Sequence, residues 1–203
     1  MRWHEPRVMN ARGTSTIEQL VVLALIATVF GVSIPSMRRG LEHGRLRGAA
    51  FYLAGRVAQL RMQAVHRGAN VALKFASTDP YAFQAFVDGD GDGVRSADIA
   101  SGQDPSIDTQ AEAIPQRFTG VSFGFVAGCP LTDGSAVPSG ADPVRIGATK
   151  LLVFAPSGTA TSGTLYLRSS LEIGYAVVIL GATGRTRLLA CTASRRTWEL
   201  DVR

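Results

Sequence analysis

The chain has 203 residues, 46% of them apolar, and a formal net charge of +5. That is room for one globular domain plus a long helix, with enough apolar side chain for a packed core. Two cysteines fit no metal-binding spacing, and His4, His43 and His66 have no nucleophile placed beside them by any motif, so an enzyme is not expected.

Charge is laid out in blocks. Residues 36–67 carry seven arginines against a single acid, Glu42, whereas 88–112 carry seven acids against one base, Arg95. Each block sets its own local field, so the layout says more than the total.

Residues 1–12 are polar and basic, with Arg2, Arg7 and Arg12. Gly13-Thr14-Ser15-Thr16-Ile17-Glu18 follows, and an apolar run continues to Ile34. Ile17 to Ile34 is 18 residues, against the roughly 20 that span a bilayer core. Glu18 is the odd feature. A carboxylate at the start of such a segment costs on the order of 3 kcal/mol unless paired, and so points to a function. An ordinary secretory signal, with Gly31-Val32-Ser33 as its cleavage site, leaves Glu18 without a purpose.

Gly13-x-x-x-x-Glu18 directly before an apolar helix resembles the class III signal of type IV pilins and pseudopilins. The resemblance implies cleavage between Gly13 and Thr14 by a membrane-embedded prepilin peptidase. It further implies methylation of the new amine at Thr14. Glu18 then becomes the fifth residue of the mature chain, and Pro35 matches the family's helix proline. The physical logic supports what the resemblance implies. A freed amine at Thr14 and Glu18 of a neighbouring subunit are each costly alone in lipid and far less so as a pair.

After Pro35, the residues Leu46, Ala50, Leu53, Val57, Leu60 and Ala64 recur at spacings of 4, 3, 4, 3 and 4, one apolar stripe of an α-helix. The arginines mostly lie off it and read as a solvated face. Gly40, Gly44 and Gly48, with Pro35, mark the place where a kink is expected.

From Val71 the pattern turns to short β-like runs: 71–76, 81–87, 121–126, 151–155, 164–167, 175–180, 186–191 and 198–202. An antiparallel sheet laid on the apolar stripe buries both. Residues 128–149 read as a long loop. The expected fold is α+β: leader 1–13, transmembrane or filament-core helix 14–35, amphipathic helix 36–70 and β-rich head 71–203. The C-terminal half resembles the GspH/FimT family of minor pseudopilins, on Phe154-Ala155-Pro156-Ser157-Gly158-Thr159 and on Gly184-Arg185-Thr186-Arg187. That resemblance implies an inner-membrane, single-pass protein with its head in the periplasm. It also implies partnership with other pilin subunits in a pilus or a type II secretion filament.

Two candidate binding sites stand out. Arg185 and Arg187 share one strand face, with Arg195 and Arg196 in the next connection. Guanidiniums read phosphate well, because each is planar, permanently charged and often bidentate. In FimT-like proteins such a hairpin is associated with DNA capture during natural transformation, which would make double-stranded DNA a partner, and a solvated or ion-paired set of arginines is the plain alternative. The second candidate is Asp88-Gly89-Asp90-Gly91-Asp92, with Ser96, which matches positions 1, 3, 5 and 9 of a calcium loop but has Ile99 where Glu is expected. Asp98 or Asp104 could supply the missing ligand, and an exposed acidic turn without calcium is the other reading. Cys129 and Cys191 form a bridge if the domain is exported, or stay as two buried thiols.

Overall fold

The computed structural model describes residues 15–170 and 173–201, except the side chains of 32–36. The leader and the expected cleavage point at Gly13 and Thr14 lie outside the described residues. Two compact units divide the chain at Gly40 and Leu41.

Helix α1 (Thr16–Arg67) is helical throughout, including Pro35 and the three glycines after it, where a kink was expected. In the first unit its apolar residues cover every side of the helix. Ile17, Leu20, Val21, Val22, Leu23, Leu25, Ile26, Val29 and Phe30 are each 45–70% exposed. No described helix is long and apolar enough to cross a membrane, so the structure does not show the expected span over 14–35. Glu18 and Gln19 interrupt it, and the unbroken apolar run, Leu20–Ile34, is 15 residues. That is about 22 Å of helix at ~1.5 Å per residue, short of a ~30 Å hydrocarbon core.

The second unit holds the rest of α1 and two antiparallel sheets. Strands β1 (Val71–Phe75), β2 (Phe83–Val87) and β5 (Leu151–Phe154) form a sheet in the order β2-β1-β5. The larger sheet runs β3 (Ser122–Phe123), β6 (Gly163–Arg168), β7 (Ile173–Leu180), β8 (Arg185–Thr192) and β9 (Trp198–Leu200), with β4 (Val144–Arg145) also on β6. Short helices α2 (Ser96–Ser101) and α3 (Ile114–Arg117) lie between β2 and β3. A long helix followed by antiparallel sheet is the pilin-like arrangement expected, though with two sheets in place of one.

Leu46, Ala50, Leu53, Val57, Leu60 and Ala64 have no exposed surface. They share one core with Leu73, Phe75, Phe83, Leu152 and Phe154 of the small sheet and Leu165, Leu167, Val177 and Ile179 of the large one. Both sheets therefore turn one face to the helix stripe. Truncating a leucine of that stripe to Ala would cost about 2–5 kcal/mol, the lost transfer energy plus the cavity.

Several arginines expected on a solvated helix face instead grip the head. Arg47 pairs with Asp201 at 2.9 Å, Arg56 pairs with Asp108, and Arg61 Nε donates to the Gly158 carbonyl at 2.9 Å. Their alkyl stems flank the stripe while the charged ends reach past it.

Candidate functional site: the β7–β8 hairpin and the outer sheet face

The turn between β7 and β8 closes with the amides of Thr183 and Gly184 both donating to the Leu180 carbonyl, at 3.2 and 2.8 Å. Gly184 has φ +59°, and a Cβ there would sit 2.4 Å from the Gly158 carbonyl oxygen and 2.7 Å from Arg61 Nε. Only glycine fits. The second turn, Ala155–Gly158, lies alongside. The Ala160 amide donates to the Gly181 carbonyl at 2.8 Å, and the Gly181 amide to Ser162 Oγ at 3.1 Å. The two sequence motifs that carried the subfamily resemblance thus meet in space, with Arg61 between them.

Arg185 and Arg187 are exposed and alternate with half-buried Thr186, so they share the face of β8 turned away from α1. Arg195 and Arg196 are elsewhere. They follow Thr192, at the far end of β8, seven residues from Arg185, or roughly 23 Å at ~3.3 Å per residue. Arg195 is already engaged, donating to both Glu199 carboxylate oxygens at 2.8 and 2.9 Å. Arg196 sits in a turn at φ +54°. The expected four-arginine patch is therefore two separate pairs.

The outer face of the large sheet has its own small core. Tyr166 and Ala176 are buried there with Leu131, and Phe125, Leu189 and Trp198 pack around them. The loop after β3 covers this face, held by the Cys129–Cys191 disulfide and by Trp198 Nε1 donating to the Pro130 carbonyl at 2.8 Å. The bridge settles the open question about the two thiols. Beside the loop lies a groove of about 350 Å³, lined among others by Asp133, Arg145, Thr164, Tyr166, Val178 and Leu180. Hydrogen bonds from the Ser135 hydroxyl and amide hold the Asp133 carboxyl below the usual range, with a smaller contribution from Arg145. Strand β4, which brings Arg145 here, lies inside the stretch read as loop. Its signal was only Val144-Arg145-Ile146, two buried residues around an exposed one.

The acidic loop is tied down by its own backbone. Asp88 accepts from the amides of Gly91 and Gly93 and from Asn70 Nδ2, at 2.7, 3.0 and 3.0 Å. Partial burial works against ionisation of Asp88, but those hydrogen bonds outweigh it and hold the carboxyl below its ordinary value. Asp104, 1% exposed, accepts from the amides of Gly89 and Arg95 at 3.1 and 3.0 Å. Carboxylate oxygens of Asp88, Asp90 and Asp104 lie within 4.8 Å of one another. Asp104 thus takes the place expected of an outside ligand. Asp92 instead pairs with Arg95, and Ser96 opens α2.

No protein-family model matches the chain, and no curated protein matches it. Among solved structures the likeness is to a minor pseudopilin. It is EpsH from the type 2 secretion system of Vibrio cholerae, with 16% identity and a TM-score of 0.46 over 72% of this chain and 97% of that one. A second structure of EpsH gives 15% identity and a TM-score of 0.43 over 71% and 93%.

Proposed function

We propose that this chain is a minor pilin or pseudopilin subunit, non-enzymatic, held in the inner membrane by the start of α1 and assembled into a filament with its head in the periplasm. The observation that carries this reading is the apolar surface on every side of α1 from Ile17 to Phe30. A helix that is apolar all round is stable only where something other than water surrounds it. Lipid serves before assembly and neighbouring helices after it. The short apolar run is accommodated by local thinning and by snorkelling of the exposed Arg38 and Arg39. Gly13 and Glu18 supply the processing signal that such a helix needs.

The test is the mature N-terminus. Mass spectrometry should find the chain beginning at a methylated Thr14, and Gly13→Leu should retain the leader. A chain beginning at Ile34 would overturn the reading, because an ordinary signal peptidase would then have removed the helix.

A second activity, capture of DNA, is favoured by Arg185 and Arg187. Both are exposed, and no described residue pairs with either guanidinium. The alternative is a purely structural pseudopilin of a type II secretion machine in which these arginines meet protein partners.

A further inference from the structure

The outer face of the large sheet carries an arginine that the hairpin motif does not include. Arg145 on β4 is opposite Thr164 on β6, Thr164 is opposite Val178 on β7, and Val178 is opposite Arg187 on β8. Directly opposed residues of antiparallel strands point to the same face, so these four form one row across the sheet. Arg145 and Arg187 are exposed at its two ends, and Thr164 and Val178 are half-buried between them. Three strand steps of ~4.8 Å separate the ends by roughly 14 Å. The groove already described is the floor between them, and Arg185 extends the Arg187 end. Among described residues no partner is bonded to the guanidinium of Arg145. Asp133, whose charge Arg145 feels across the groove, has Oδ1 taken up by Ser135 at 2.9 and 2.6 Å.

We propose that this row straddles duplex DNA, Arg145 meeting the phosphates of one strand and Arg187 with Arg185 those of the other. The inference rests on the DNA reading above and adds to it a third phosphate contact, with a geometric reason for the duplex form. Two observations support duplex. The separation of the arms suits two phosphate lines flanking a groove about 6 Å (minor) or 12 Å (major) wide. The floor also offers no platform for unpaired bases. Its aromatic residue, Tyr166, is 2% exposed and its hydroxyl accepts from the Thr132 amide at 3.0 Å, whereas single-strand binders stack bases on open aromatic rings. Contact of this kind is electrostatic and independent of sequence.

The experiment measures affinity of the full mature chain in non-ionic detergent for a mixed-sequence duplex and for one of its strands, across a salt series. Wild type should prefer the duplex. Arg145→Gln should flatten the duplex salt slope by about one unit and Arg185→Gln/Arg187→Gln by about two, since each lost phosphate contact removes about one released counterion. Arg145→Lys should keep the slope. Arg117→Gln, which removes an exposed charge on α3, should leave it unchanged. A wild-type slope in Arg145→Gln, alongside a flattened one in the hairpin variant, would overturn the row but not the hairpin. So would equal affinity for single strand, or an equal loss in Arg117→Gln. No duplex binding by wild type even at low salt would overturn the DNA reading itself.

Discussion

Tyr175 shows how one buried hydroxyl can join three segments. Its Oη donates to Asp201 Oδ2 at 3.1 Å, and Asp201 also receives Arg47 of α1, so β7, the chain's end and the helix converge there. Burial first, and then the Asp201 carboxylate, push the Tyr175 hydroxyl up to about 12. The folded state thus resists ionisation more than the unfolded chain, whose tyrosines titrate near 10. The stability this contributes is complete below about pH 10 and is lost as pH rises through about 12. Tyr175→Phe should therefore show a shallower alkaline fall in Tm than wild type over that window. An equally steep fall would mean that other groups govern alkaline unfolding. Asp88 has the opposite sign. Its depressed carboxyl stabilises the fold above the unfolded range and stops doing so as pH falls through its folded value.

At the scale of elements, turns do more than connect strands. Gly184→Ala should lower stability by about 1–3 kcal/mol, the cost of a left-handed backbone at a residue with a side chain, with the clash against the Gly158 carbonyl added. A thermal melt checks it, and an unchanged Tm would mean the turn relaxes freely. Arg187→Gln, exposed on the same hairpin, should melt like wild type, which separates the motif's folding residue from its outward-pointing one. Much of this was legible in the chain. The helix stripe recurs at a mean spacing of 3.6 residues over 19 residues, Leu46 to Ala64, and every member is buried. Each expected β-like run overlaps an observed strand, with ends that differ by at most three residues. What was hidden depended on long-range pairing. Two-residue β4 has no periodicity of its own and exists because β6 has a free edge beside Val144. Asp104 was one of two acids that could join the loop, and only the fold of 88–104 decides between them. The position of Arg195 and Arg196 was misread because proximity in sequence was taken across a strand that runs the other way.

For the whole molecule, the uncovered start of α1 sets a problem of register. Nothing in an evenly apolar helix tells it how far to slide along its neighbour, because every position buries similar area. One charge pair does. If the amine at Thr14 meets Glu18 of an adjacent subunit, slippage in either direction strands both charges in an apolar setting. Glu18→Ala should thus leave insertion and cleavage intact, since those depend on Gly13, while incorporation into sheared filaments falls at least several-fold by quantitative immunoblot. Normal incorporation would remove the pairing argument.

The contact among Arg61, Gly158 and Gly184 bears on how such a protein can change over generations. Arg61 Nε and the Gly158 carbonyl occupy the space that a Cβ at Gly184 would need, and Gly158 itself holds φ +82° with Arg61 Nη2 at 3.2 Å from where its own Cβ would sit. Three segments far apart in the chain thus constrain one another through a single contact. Shortening Arg61 would remove its contact with both turns, but the Gly158 carbonyl 2.4 Å from a Cβ at Gly184 and the positive φ of both residues would still hold the two turns to glycine. Across relatives the two glycines should therefore be retained together even where Arg61 is replaced, whatever the outward-pointing arginines beside them have become.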